Sequence, residues 1–156
     1  MKSSVVIGLG NPLMSDEGIG VHIVGALSER GTELPGFDFM DLGTSGAKLL
    51  HAIAGRKRAY IIDCAFLGRE PGAMVRFEPD EVVSNKACPR LSLHEGDVLG
   101  TIELSRRLGE CPGVVVIFGI QPEKVEPGES LSDTLSSRLD YYVEQIAAEL
   151  AGSANA

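Results

Sequence analysis

The sequence predicts an α/β fold, a three-layer α/β/α sandwich with an about five-stranded, mostly parallel twisted sheet and helices on both faces. Three observations predict it. The apolar runs at residues 4–10, 60–64 and 114–120 are continuous rather than alternating, as in strands buried on both faces. Between the strands lie stretches whose apolar residues recur at helical spacing. Glycine and proline punctuate the joins. Alternating strands and helices imply right-handed crossovers, and in such sheets the functional crevice lies beyond the carboxyl ends of the strands.

Residues 4–10 form the first strand, a β-branched run that ends in glycine. A turn follows at Gly8-Leu9-Gly10-Asn11-Pro12, and a helix starts near Ser15 or Asp16. Ser15 suits an N-cap, and Asp16 and Glu17 suit a first turn, where the helix dipole favours negative charge. Ile19, Ile23, Val24 and Leu27 give that helix its apolar stripe, and it ends near Gly31. Residues 37–42 are the second strand. Residues 47–54 are a short helix with Leu49, Leu50 and Ile53 inward. Arg56-Lys57-Arg58 reads as a solvated turn that suits a helix C-terminus. Residues 60–64 are the third strand and 74–77 the fourth. Periodicity is weak over 78–92, which reads as loop with one helical turn. Residues 96–108 form a helix with Val98, Leu99, Ile102 and Leu108 apolar, and 114–120 are the last strand. Pro122, Pro127 and Gly128 make 121–130 a loop. The final helix spans 132–150, with Leu135, Leu139, Tyr142, Val143, Ile146 and Leu150 on one face. The expected organisation is one domain over residues 1–151 with a frayed tail at 152–156.

The chain has 156 residues, enough for one apolar core without disulfides or structural metals. Fourteen basic against 22 acidic residues give a net charge of −8, which argues against a nucleic-acid partner. Three cysteines (Cys64, Cys88 and Cys111) form no paired framework, and no apolar run is long enough for a membrane span. With no leader-like start, these features predict a reducing, cytoplasmic setting and no membrane partner.

The strand ends deliver residues 10–17, 41–46, 63–64 and 119–123 to one edge of the sheet. Gly8-x-Gly10 follows a strand as a dinucleotide fingerprint would, but position 13 is Leu13 and Pro12 intrudes. Asp16 and Glu17 would also repel a pyrophosphate, so no organic cofactor is expected. Asp63 ends a buried strand, where a carboxylate needs a partner, a proton or a metal. A carboxylate accepting backbone amides meets that need as well as a metal does. Glu17, Asp63 and His94 together would make a mixed oxygen and nitrogen set with open positions, suited to a borderline divalent ion such as nickel, zinc or iron. Taken alone, the acid pair Asp16-Glu17 reads as helix capping, and His94 as a surface or capping residue. His22 and His51 read as non-functional, and Cys64 as a small buried hydrophobe. No serine or cysteine has an evident base, so nucleophilic catalysis lacks support.

The stretch Gly8-Leu9-Gly10-Asn11-Pro12-Leu13-Met14-Ser15-Asp16-Glu17-Gly18-Ile19-Gly20-Val21 resembles the opening motif of the hydrogenase maturation endopeptidases. The resemblance continues through Asp41-Leu42-Gly43-Thr44-Ser45-Gly46, Ile62-Asp63, Ser92-Leu93-His94-Glu95 and Gly119-Ile120-Gln121-Pro122-Glu123. These enzymes trim the C-terminal extension from the large subunit of nickel-iron hydrogenases. The resemblance implies that Glu17, Asp63 and His94 contact nickel already installed in the substrate; Asp16 is expected to support them at most. The metal is then a checkpoint, and cleavage proceeds only on a loaded precursor. The resemblance also implies that Asp41, Gly43, Thr44 and Gly46 belong to a region that selects the hydrogenase partner. The family is filed with aspartic-type peptidases, which here would need Asp16 to join Asp63. It implies a hydrolase acting on a hydrogenase large-subunit precursor, monomeric or weakly associated.

Two other readings compete. Gly8-Leu9-Gly10-Asn11-Pro12 also resembles the opening of peptidyl-tRNA hydrolases, but Ser15-Asp16-Glu17-Gly18 replaces the segment that carries their catalytic histidine. The acidic balance is also wrong for a tRNA ligand. A non-catalytic nickel-binding chaperone would bind the precursor without shortening it.

Overall fold

Strand β1 (Ser4–Leu9) lies between β2 (Phe37–Gly43) and β3 (Arg58–Phe66) and runs parallel to both. On its other side β3 is parallel to β6 (Val114–Ile120), and β4 (Met74–Phe77) closes that edge antiparallel to β6. The order is β2-β1-β3-β6-β4. These relations come from a computed structural model, which describes residues 1–81, 90–91 and 98–154. A two-residue strand not expected from the sequence, β5 (Arg90–Leu91), pairs antiparallel with Ala65 and Phe66. It pairs where β3 outruns both parallel neighbours, which match it only to Ile62 and Cys64. Two residues carry too little periodicity to be read as a strand.

The helices are α1 (Ile19–Glu29), α2 (Gly46–Ile53), α3 (Val98–Arg107) and α4 (Asp133–Ala154). Strand side chains alternate between two cores, as period two requires. Val6, Tyr60, Ile62, Val116 and Phe118 pack with α1 and α4 residues such as Ile23, Leu27, Tyr142 and Ile146. Val5, Ile7, Ala59, Ile61 and Ile117 pack with Leu49 and Ile53 of α2 and Val98 and Ile102 of α3. Both faces are covered, which is why β1 and β3 read as continuous apolar runs. Cys64 lies in the first core, as expected of a small hydrophobe.

Helix α1 sits directly on the sheet because two glycines let it. A Cβ on Gly20 would lie 2.2 Å from the Ile62 carbonyl oxygen, and one on Gly8 would lie 2.5 Å from that of Gly20. Gly8 thus serves helix packing within β1, whereas the turn after β1 falls to Gly10, at φ 119°.

Other expectations also need correction. Arg56 is not solvated: it is 5% exposed, donates to the Ala52 and Lys2 carbonyls and pairs with Asp38. Its guanidinium holds the Asp38 carboxyl below the usual carboxylate range. The last helix does not stop at Leu150: α4 continues to Ala154, and Arg58 donates to the Ser153 carbonyl. Leu108 is 55% exposed, just past the end of α3, whose buried residues are Val98, Ile102 and Ser105.

At the edge formed by β4, the Tyr142 hydroxyl donates to the Gly72 carbonyl at 2.6 Å, and burial pushes the phenol's pKa up. That bond ties the turn before β4 to α4. Among the described residues no helix is long and apolar enough to cross a membrane.

Candidate active site

The site is built where β1, β2, β3 and β6 end. Gly10 turns the chain after β1 and donates its N–H to the Gly43 carbonyl at 2.9 Å, joining the ends of β1 and β2. Asn11 then accepts the Leu13 N–H on its side chain and the Met14 N–H on its carbonyl. Ser15 follows with φ at 54°, the one non-glycine residue at positive φ among those described.

Residues Ser15–Gly18 form a 3₁₀ turn, and the α-helix starts only at Ile19. Ser15 is therefore not an N-cap. Its hydroxyl donates to the Glu126 carbonyl at 2.8 Å and its N–H to the Gly128 carbonyl at 2.9 Å. The N–H of Gly128 returns a bond to the Leu13 carbonyl at 2.9 Å, and the N–H of Asp16 donates to the Lys124 carbonyl at 3.0 Å. Tertiary bonds to the loop after β6 have replaced local capping.

The Asp16 side chain completes this latch. It is fully buried and accepts three backbone N–H groups: Glu123 and Lys124 on Oδ2, both at 2.9 Å, and Ser132 on Oδ1 at 2.7 Å. Ser132 in turn accepts the Leu135 N–H on its hydroxyl and so begins α4. A carboxylate has about four lone-pair sites, and three of those on Asp16 serve main-chain donors. That leaves one site on Oδ1 for a metal or for a proton shared with Asp63.

Glu17 and Asp63 come to the same region. Glu17 lies in the 3₁₀ turn, which packs against β3, and is 8% exposed. Asp63 lies on β3 opposite Gly119 of β6 and is fully buried. His94, the third member of the expected set, lies outside the described residues, as does Cys88. Among the described residues no group of three or more His, Cys, Asp or Glu could hold a metal.

The expected selectivity segment is shaped by its own turn. Asp41 is exposed and accepts the Gly43 N–H at 3.0 Å, while Gly43 adopts φ 58°. Thr44 is half-buried, Ser45 caps α2 by accepting the Lys48 N–H, and Gly46 is the first residue of that helix. The Gly10–Gly43 bond sets this segment beside the loop that leads to Glu17. Gln121 turns away to a structural task, accepting the Leu67 N–H at 2.6 Å. His51 is exposed, whereas His22 keeps a buried Nε2 that has no hydrogen-bond partner among the described residues. Sequence reading missed Glu126, Gly128 and Ser132. No local spacing signals them, because their partners lie more than a hundred positions away.

The hydrogenase maturation protease family model matches residues 21–149. The chain is 35% identical over 151 residues to the hydrogenase 2 maturation protease of Escherichia coli, covering 94% of this chain and 89% of that protein. It is 32% identical over 142 residues to the hydrogenase expression/formation protein HoxM of Cupriavidus necator, covering 90% of this chain and 70% of that one. Among solved structures it resembles the hydrogenase maturating endopeptidase HybD from E. coli, with a TM-score of 0.79, 30% identity, and 98% and 94% of the two chains covered. The HybD protease from Thermococcus kodakarensis is similar at a TM-score of 0.75 and 29% identity, with 97% and 99% covered.

Proposed function

The chain belongs to the hydrogenase maturation protease family, and on that premise we propose that it removes the C-terminal extension of a nickel-iron hydrogenase large-subunit precursor after nickel insertion. It is a peptidase, and its substrate is a protein. The nickel arrives with the substrate. Glu17 and Asp63 supply oxygen ligands to it, and His94 supplies an imidazole nitrogen. Such a mixed set suits a borderline divalent ion that keeps positions open. The observation that carries this reading is the placement of two buried carboxylates, Glu17 and Asp63, on adjoining elements at the carboxyl ends of parallel strands.

A metal held there by Glu17, Asp63 and His94 would polarise a carbonyl or lower the pKa of water, and a carboxylate beside it would serve as general base. This reading is favoured over a two-aspartate dyad because Asp16 already serves three amides. Residues 41–46, tied to the same edge by Gly10, select the partner. Family membership also disfavours the tRNA-hydrolase and chaperone readings.

The test is the mass of a co-expressed large-subunit precursor, with and without nickel. The expected result is shortening only with nickel, and none by folded Glu17→Gln, Asp63→Asn or His94→Ala. Full processing by all three variants overturns the metal assignment. Equal shortening without nickel overturns the checkpoint.

A further inference from the structure

We propose that Asp16 is a positioning residue for the cut, selecting a 3₁₀ rather than an α-helical path for residues 15–18 and thereby setting the place of Glu17. The proposal rests on the reading of Glu17 given above.

Local sequence favours the other path. Ser15 is a preferred N-cap type, and Asp16 and Glu17 suit the first turn of a regular helix. Instead Ser15 adopts a left-handed conformation that non-glycine residues seldom take, and no side chain caps the turn. Residues held in such conformations persist when the surroundings over-determine them, and they cluster at functional sites. The surroundings here are the bonds from residues 13–16 to residues 123–132, at whose centre the buried Asp16 carboxylate accepts three amides.

The difference matters to Glu17 by simple helical geometry. A 3₁₀ helix rises about 2.0 Å and turns about 120° per residue, against about 1.5 Å and 100° in an α-helix. Glu17 stands two residues before Ile19, where the α-helix starts. Exchanging one path for the other therefore moves it by about 1 Å and rotates it by about 40°. A shift of that size in a catalytic group can cost about a hundredfold in rate. Asp16 itself contacts neither metal nor substrate in this scheme.

The test uses Asp16→Asn, which keeps the side-chain shape but turns one acceptor into a donor facing an N–H. Backbone chemical shifts of Ser15 and Glu17 are measured in the free protein, and kcat and KM on nickel-loaded precursor. The expected result is a folded spectrum in which Ser15 moves to right-handed helical shifts. With it, kcat falls about tenfold to a hundredfold while KM changes by less than about threefold. Ser15→Ala, which loses only the bond to Glu126, guards against a poorly folded first variant and moves both readouts the same way by less. Unmoved Ser15 and Glu17 shifts in both variants overturn the proposal, as do moved shifts with unchanged kcat. Wild-type protein that cuts no precursor overturns the functional reading instead, and the shift measurement still decides the coupling of Asp16 to Ser15.

Discussion

Asp16 Oδ1 accepts the backbone N–H of Ser132 at 2.7 Å, so a carboxylate ahead of α1 caps the amino end of α4 across 116 positions of sequence. Truncation to alanine orphans this amide and those of Glu123 and Lys124. Each orphaned buried donor costs about 1–3 kcal/mol, less where water can replace the acceptor. Asp16→Ala is expected to lose about 2–4 kcal/mol in urea unfolding at neutral pH. A loss under about 0.5 kcal/mol, the range of ordinary surface changes, would show that the latch is not a stabilising element.

Gly20 tests the seating of α1. Its added Cβ would meet two backbone oxygens, those of Ile62 at 2.2 Å and Leu9 at 2.6 Å. Backbone cannot swing aside as a flexible side chain can. Gly20→Ala is expected to cost about 3 kcal/mol, the upper range for overpacking, despite the better helix propensity of alanine. Unchanged stability would mean that the helix stands off the sheet.

Asp38 and Arg56 predict an acid limb. The pair lowers the pKa of Asp38 in the folded state. Its stabilisation is therefore complete above the unfolded carboxylate value of about 4, and fades as pH falls through the lowered folded value. Asp38→Asn leaves the guanidinium of the buried Arg56 short of its charged partner, at about 1–3 kcal/mol near neutral pH. Unfolding of both proteins across pH 2–7 should show the gap close below about pH 4. A gap constant to pH 2 would contradict the pairing.

Ser105 predicts a gain. Its hydroxyl is fully buried on α3 and has no hydrogen-bond partner among the described residues. Ser105→Ala removes that unpaired group and improves helix propensity, so stability should rise by up to about 1 kcal/mol. A clear loss in thermal unfolding would indicate that the hydroxyl is satisfied.

The layered fold was legible because its signals are local. Apolar runs in β1, β3 and β6 show a sheet covered on both faces, and the stripes of α1 and α4 show which helices cover it. Asp63 was legible as a candidate because charge at the end of a buried strand is costly, whereas Glu17, which alone reads as capping, was legible only beside it and through the family resemblance. The register of charge was not. Arg56 read as solvated in a basic run, and only the fold brings Asp38, on a neighbouring element, up to it.

By itself the sequence determined the order of the longer strands and helices, the two-sided sheet and the acid at the end of β3. It also carried the family resemblance, in motifs whose spacing survives along the chain. Only the tertiary structure decided what the acids do. Asp16 and Glu17 are neighbours of like chemistry, and both suit a helix start. Three amides from a distant loop claim Asp16, and Glu17 packs in a turn against the strand of Asp63. Local propensity is worth a few tenths of a kcal/mol per residue, and a buried set of hydrogen bonds outweighs it. That is the physical reason the expected N-cap at Ser15 gave way to a left-handed residue and a 3₁₀ turn.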